Sequence, residues 1–172
     1  MTVALELAQG SRFSEKRWDL ISDGAVLGRL EQTAWWRRKW RAAAGRQAWE
    51  LSPTGLFSGG MAARDDTGAE VAWYRPKDGV LERRDAPALA VQREGLLSGE
   101  RALLAGDREL VRLQPRTWRR GIDLELAAGV PLDEDLTMAV LLVCARLVVD
   151  RQDTTAATAG ATTAAGAAAA GS

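Results

Sequence analysis

The feature that most constrains this chain lies near its end. From Leu132 to Val149 the sequence reads as one helix, and between Leu136 and Ala145 only Thr137 is polar. A helix without a polar stripe offers no face to water and has to be surrounded by protein. Everything ahead of it reads as short strands and turns. One helix after an all-β chain is surrounded economically when the strands close into a barrel and the helix runs through the middle. A bilayer span is the competing explanation and needs about 20 mostly apolar residues. Arg146 interrupts the run, and Asp150 and Arg151 close it, so the buried reading is favoured.

The ends of this helix carry conventional signals. Pro131 precedes Asp133-Glu134-Asp135, acids suited to capping free N–H groups and to the positive end of the helix dipole, while Arg146 and Arg151 suit the negative end. The expected helix spans 132–150 inside a domain of residues 1–152. Beyond it, residues 153–172 are almost wholly Ala, Thr and Gly, and read as a flexible tail in which alanine permits transient turns.

The β region contains a pattern in three copies: Trp18-x-Leu20-x-x-x-Gly24-x-Val26-x-Gly28, Trp49-x-Leu51-x-x-x-Gly55-x-Phe57-x-Gly59, and Leu89-x-Val91-x-x-x-Gly95-x-Leu97-x-Gly99. Paired positions at spacing two on either side of a turn describe a hairpin, since side chains on one face of a strand recur with period two. The turns predicted from the pattern are Ser22-Asp23-Gly24, Ser52-Pro53-Thr54-Gly55 and Arg93-Glu94-Gly95. Asp65-Asp66-Thr67-Gly68, Asp78-Gly79 and Gly106-Asp107 supply further turn signals, and Ile122-Asp123-Leu124-Glu125-Leu126 alternates strictly as a half-buried strand does. A β-propeller shares such spacing, but three copies are too few to close one and it has no place for an apolar helix. The predicted class is mainly β, a closed antiparallel barrel around a C-terminal hydrophobic helix.

Composition excludes more than it suggests. Lys plus Arg and Asp plus Glu stand at 23 each, so no global field draws the protein to nucleic acid or anionic membranes, and an electrostatic partner has to meet a local patch. Histidine is absent, which removes Ser-His-Asp and Cys-His catalysis and histidine metal ligands. The single cysteine, Cys144, falls within the apolar helix and reads as an inert core thiol. No phosphate-binding loop, dinucleotide fingerprint or zinc-spaced cysteine pair occurs. A hydrolase built on carboxylates alone stays open without any favoured pair. The paired acids Asp65-Asp66 and Asp133-Glu134-Asp135 are explained by a turn and a helix start rather than by a metal. The opening residues lack a charged segment followed by an apolar one, and the expectation is a cytoplasmic protein without cofactor or metal.

Two clusters mix indole and guanidinium: Trp35-Trp36-Arg37-Arg38-Lys39-Trp40-Arg41 and Arg116-Thr117-Trp118-Arg119-Arg120. On a strand, Trp35, Arg37, Lys39 and Arg41 share one face, opposite Trp36, Arg38 and Trp40. The favoured reading is a barrel strand with Trp36 and Trp40 packed inward and its basic face in water. The second is contact with anionic phospholipid through Trp35, Arg37, Lys39, Arg41, Arg119 and Arg120, each cation contributing about 1 kcal/mol at such a surface. Stacking on single-stranded nucleic acid comes third. The other indoles, Trp18, Trp49, Trp73 and Trp118, are assigned to core packing, and nothing selects Trp73-Tyr74 as an aromatic cage.

Several of these stretches carry a family likeness. Trp18-Asp19-Leu20-Ile21-Ser22-Asp23-Gly24, Gly55-Leu56-Phe57, the run from Ala63 to Ala72, and Gly129-Val130-Pro131-Leu132-Asp133-Glu134-Asp135-Leu136 leading into the helix together resemble bacterial members of the tubby-like superfamily. The branch they resemble most is the LURP-one-related proteins, with phospholipid scramblases more distant, and the likeness covers about residues 3 to 150. It implies a barrel of about twelve strands around a central helix. Some members of the superfamily bind phosphoinositide head groups through basic surface residues. That basic motif has no match here, so no binding residue is carried over. The resulting expectation is a non-enzymatic binding or scaffold barrel of unknown ligand, with peripheral binding of anionic phospholipid as the alternative. Lipid translocation would require the helix to leave the barrel, which Arg146 makes costly.

Overall fold

The computed structural model describes residues 2–7, 16–34, 39–54, 59–94, 99–116 and 121–169. Twelve strands run β1 Thr2–Leu7, β2 Arg17–Ser22, β3 Ala25–Ala34, β4 Lys39–Ala44, β5 Gln47–Thr54, β6 Gly60–Arg64, β7 Glu70–Arg75, β8 Val80–Arg83, β9 Leu89–Glu94, β10 Glu100–Ala105, β11 Arg108–Pro115 and β12 Gly121–Leu126, and α1 follows at Glu134–Ala169. Each strand pairs antiparallel with the next. The barrel is closed by β1 against β12, in register from Thr2↔Glu125 to Glu6↔Gly121.

Each strand reverses the one before it. Connections after even-numbered strands therefore gather at one end of the barrel and those after odd-numbered strands at the other. Because α1 follows β12, it goes in at the first, the entry end, and comes out at the second, the exit end.

The alternation read from the sequence decides what faces the lumen. Trp18, Leu20, Trp49, Leu51, Leu89 and Val91 of the three-copy pattern are all buried. β12 buries Ile122, Leu124 and Leu126 while Glu125 stays exposed. From Leu136 to Ala145 every residue of α1 is buried, Thr137 included, so the helix is sheathed as its composition demands. Each fully buried Leu or Val contributes about 1.5–3 kcal/mol. The wall's outer face, by contrast, is laced with ion pairs: Asp19 with Arg17 and Arg29, Lys39 with Glu50, Arg64 with Glu70, Arg75 with Asp78 and Glu82, Arg112 with Glu94 and Glu109. A surface of that composition is built for water, since a cation facing lipid costs about 2–4 kcal/mol at the bilayer midplane. No described helix is long and apolar enough to cross a membrane.

The helix is off-centre, closest to β3–β7. Toward the entry end that side of the wall presents small residues, Gly28, Ala42, Ala44, Ala63 and Ala72, and the far side presents larger ones such as Leu5, Leu103, Leu113 and Leu124. Gly28 is a close approach: a Cβ there would lie 3.2 Å from Thr137 Cγ2 and 3.3 Å from Leu141 Cδ1.

The start of α1 is pinned. Asp133 caps it, its Oδ1 accepting from Leu136 N at 2.8 Å. Glu134 Oε1 accepts from Arg46 N in the β4–β5 turn at 3.3 Å, and Asp135 pairs with Arg83 at the end of β8. The helix begins at Glu134 rather than 132 and continues to Ala169, past the residue where the sequence reading closes it. Alanine's helix propensity accounts for the continuation.

Three other expectations change. In the second and third copies of the pattern the predicted turns Ser52-Pro53-Thr54 and Arg93-Glu94 are strand, with Thr54↔Gly60 and Glu94↔Glu100 in register, and the residues that follow, 55–58 and 95–98, lie outside the described residues. Only the first copy turns where expected, with Asp23 (φ 49°) and Gly24 (φ 80°) both left-handed as a two-residue hairpin requires. Trp73 is not in the core. It stands on the outer face of β7, half-buried, with the Arg75 guanidinium 5.0 Å from its ring and Nε1 donating to Thr54 Oγ1 at 3.3 Å. Its neighbours Ala72 and Tyr74 take the lumen instead, because period two lets only one of two adjacent aromatics point inward.

Candidate functional site

The described members of the two Trp and Arg clusters, Lys39, Trp40, Arg41 and Arg116, belong to strand ends on the exit side. β3 ends at Ala34 and β4 starts at Lys39, with those two residues paired antiparallel, so of the stretch from Trp35 to Arg41 only Lys39, Trp40 and Arg41 fall within a described strand. Trp35, Trp36, Arg37 and Arg38 lie outside the described residues, as do Trp118, Arg119 and Arg120.

Lys39, Trp40 and Arg41 remain at the head of β4. Trp40 points inward, fully buried and tilted against Trp18 at 5.2 Å between ring centroids, as the packed-strand reading expects. Lys39 Nζ is paired with Glu50 Oε1 at 2.9 Å. Arg41 is exposed on the outer wall, in register with Glu31 and Glu50 on either side. Acids on neighbouring strands therefore moderate both cations of the basic face.

In the second cluster Arg116 is fully engaged. Its guanidinium holds Asp123 at 2.5 Å and Glu6 at 2.8 Å, tying β11, β12 and β1, and its carbonyl accepts from Arg151 at the emerging helix at 3.1 Å. Lys39 and Arg116 stand at the same end but on strands far apart around the ring, so they share a rim without forming one contiguous patch.

Inside that rim is a polar group the sequence reading passed over. Tyr74 of β7 is 3% exposed and faces the lumen. Arg101 of β10 and Arg146 and Asp150 of α1 lie close enough to act on its hydroxyl electrostatically. Burial raises the phenol's pKa above its ordinary value, against the opposing pull of Arg101, so Tyr74 stays neutral and protonated. The available signal was Arg101's spacing of two from Leu103, which puts a cation on an inward face.

The entry end offers less. An open depression of about 210 Å3 lies beside the start of α1, lined by Arg83, Arg108, Val130, Asp133, Asp135 and Leu136. Arg83 is already paired there with Asp135. Cys144 is fully enclosed and burial pushes its thiol far up, so it is held as the unreactive protonated form. Among the described residues no group of His, Cys, Asp and Glu side chains is arranged to hold a metal ion. No family model, no curated protein and no solved structure matches this chain.

Proposed function

We propose that this chain is a non-enzymatic binding or scaffold module of the tubby-like, LURP-one-related kind, which meets its partner with its exit rim. The observation behind this reading is that the lumen is filled by the protein's own helix, buried from Leu136 to Ala145. Small-molecule sites usually occupy preformed apolar cavities. A plugged barrel leaves its rim and outer wall as binding surfaces. The absence of histidine and the enclosure of Cys144 leave acid–base and nucleophilic chemistry without their usual groups. Anilinonaphthalene sulfonate tests the reading, because a filled lumen does not light this dye. Strong fluorescence under native conditions would mean an accessible chamber and would overturn it.

A second reading is supported by Lys39 and Arg116, which stand at the same end of the barrel: peripheral binding of anionic phospholipid through Arg37, Lys39, Arg41, Arg119 and Arg120 with Trp35 as interfacial anchor. Basic side chains attract anionic lipid, and an indole suits the depth of the head groups. The expected result is co-sedimentation with phosphatidylserine vesicles but not with neutral phosphatidylcholine vesicles, weakened by salt and lost when Arg37, Lys39 and Arg41 are changed to Ala. No sedimentation at low salt rejects this reading.

A further inference from the structure

Among the described residues no neighbouring strands share a shorter ladder than β8 and β9. They pair only at Val80↔Ala90 and Leu81↔Leu89, with one further backbone bond from Val91 N to Gly79 O at 2.7 Å. On its other side β8 pairs with β7 from Arg75↔Val80 to Ala72↔Arg83, and Arg84 N carries that ladder on to Val71 O at 2.9 Å. β9 pairs with β10 from Leu104↔Ala90 to Glu100↔Glu94. Each strand is therefore fastened better to its outer neighbour than to its partner across the seam.

The sequence limits the ladder at both ends. Toward the exit it stops at left-handed Gly79 (φ 64°), where the β7–β8 turn takes the chain away. Toward the entry, continuing the register sets Arg83 opposite Pro87, which has no N–H to donate. A side chain meets the Pro87 carbonyl instead, Arg83 Nε and Nη2 donating to it at 3.0 and 2.6 Å. Two residues from fully buried Leu81, Arg83 lies on the inward face of β8, its side chain 11% exposed, and its Nη1 pairs with Asp135 of α1. One guanidinium thus holds the end of β8, the lead-in to β9 and the start of the plug.

We infer that the barrel opens at the β8–β9 seam before it unfolds, and that Arg83 is the strap that keeps this seam shut against the plug. Local opening begins where few backbone bonds and contacts have to be broken. The helix packs closest to β3–β7, so β8 and β9 can part while the wall that carries the helix stays whole. Parting them bares one edge of each strand, and a bared edge is a place where a further strand can add. The inference uses none of the residues assigned to membrane contact above and stands whichever binding reading holds.

Amide hydrogen exchange, followed residue by residue by NMR on the full chain, tests this because alternate N–H groups of one strand point to opposite neighbours. Leu81, Leu89 and Val91 point across the seam, whereas Glu82 points to β7 and Ala90 to β10. Under native conditions the first three are expected to exchange about tenfold or more faster than the other two. Arg83→Met keeps the aliphatic stem without the donors and should widen that gap by about tenfold again, while Asp150→Asn, remote from the seam, leaves it unchanged. Melting curves confirm that each variant is folded. Should Arg83→Met not fold, Asp135→Asn frees the strap from the plug alone and is expected to widen the gap by less. Equal protection on the two sides of β8 and β9 overturns the seam, and a gap that the strap variant leaves unchanged overturns the role of Arg83.

Discussion

The two ends of this barrel solve different problems with the same strands. At the entry end the β2–β3, β4–β5 and β10–β11 hairpins turn in two residues, and the small side chains of β3, β4, β6 and β7 admit the helix closely. Three consecutive acids, Asp133, Glu134 and Asp135, there fasten the start of α1 to its own first turn, to the β4–β5 turn and to β8. At the exit end, among the described residues, Arg146 pairs with Asp150 within the helix and Arg151 donates to the Arg116 carbonyl just past β11. The position of the plug is set where it goes in. The end where it comes out carries the cations Lys39 and Arg116, each paired with acids of neighbouring strands.

The comparison breaks most severely if the plug itself is charged. Leu142→Arg would put an unpaired guanidinium among fully buried neighbours, at a cost of several kcal/mol against a total stability of about 5–15 kcal/mol, so soluble folded protein is not expected. Circular dichroism on whatever is recovered checks this. A native-like melt would show that the helix is not sheathed.

Next in size is Gly28→Val, which forces a branched side chain onto Thr137 and Leu141 where helix and wall lie close. Overpacking of this sort costs about 1–3 kcal/mol, and the denaturation midpoint should fall accordingly. An unchanged midpoint would mean that the helix can shift freely in its sheath.

A pair of substitutions then sets the ends against each other directly. Asp133→Ala removes the cap at the entry and should cost about 0.5–2 kcal/mol. Asp150→Asn weakens a half-exposed i,i+4 pair at the exit and should cost about 0.3–0.5 kcal/mol in urea melts. If Asp150→Asn proved the more damaging, the exit would be the anchored end.

The smallest effect is one of acid. At the entry end Asp65 accepts from the Thr67 hydroxyl at 2.6 Å, and from the Thr67 and Ala69 amides at 3.0 and 2.9 Å. The Thr67 hydroxyl first, then those amides and Arg84, hold its carboxyl below the ordinary 3.8 despite some desolvation. A carboxylate favoured in the folded state stabilises above its unfolded pKa and loses that contribution as pH falls through the lower folded value. Asp65→Asn should therefore narrow the stability difference between neutral pH and pH below 3.8, by a small amount because the group is exposed. A carboxyl NMR titration that finds Asp65 at or above 3.8 would remove this contribution.

How much of this was legible follows from which signals are one-dimensional. The apolar run from Leu136 to Ala145 forces enclosure wherever it occurs, and the alternation from Ile122 to Leu126 fixes its own face, so both could be read directly. Trp73 and Tyr74 could not be assigned without knowing the parity of their strand, and they divide between wall and lumen. The hairpins after Leu51 and Val91 were placed too early. A glycine marks that a chain turns, but how far the strands run before it does depends on the partner, and Pro53 sits paired with Met61. The charges that act on buried Tyr74 were the least visible, because Arg101 and Arg146 come near it only through closure of the ring and passage of the helix.

That closure also sets the order in which the chain can fold. β1 finds its second neighbour only when β12 exists, and the core finds its filling only when α1 does. While the ribosome is still at work, the emerging polypeptide is an unfinished curved sheet whose greasy side is bare and whose two edges are open to strangers. Contacts between such distant parts of a sequence form slowly. A cell making this protein has to shield that half-built surface until the final segment arrives.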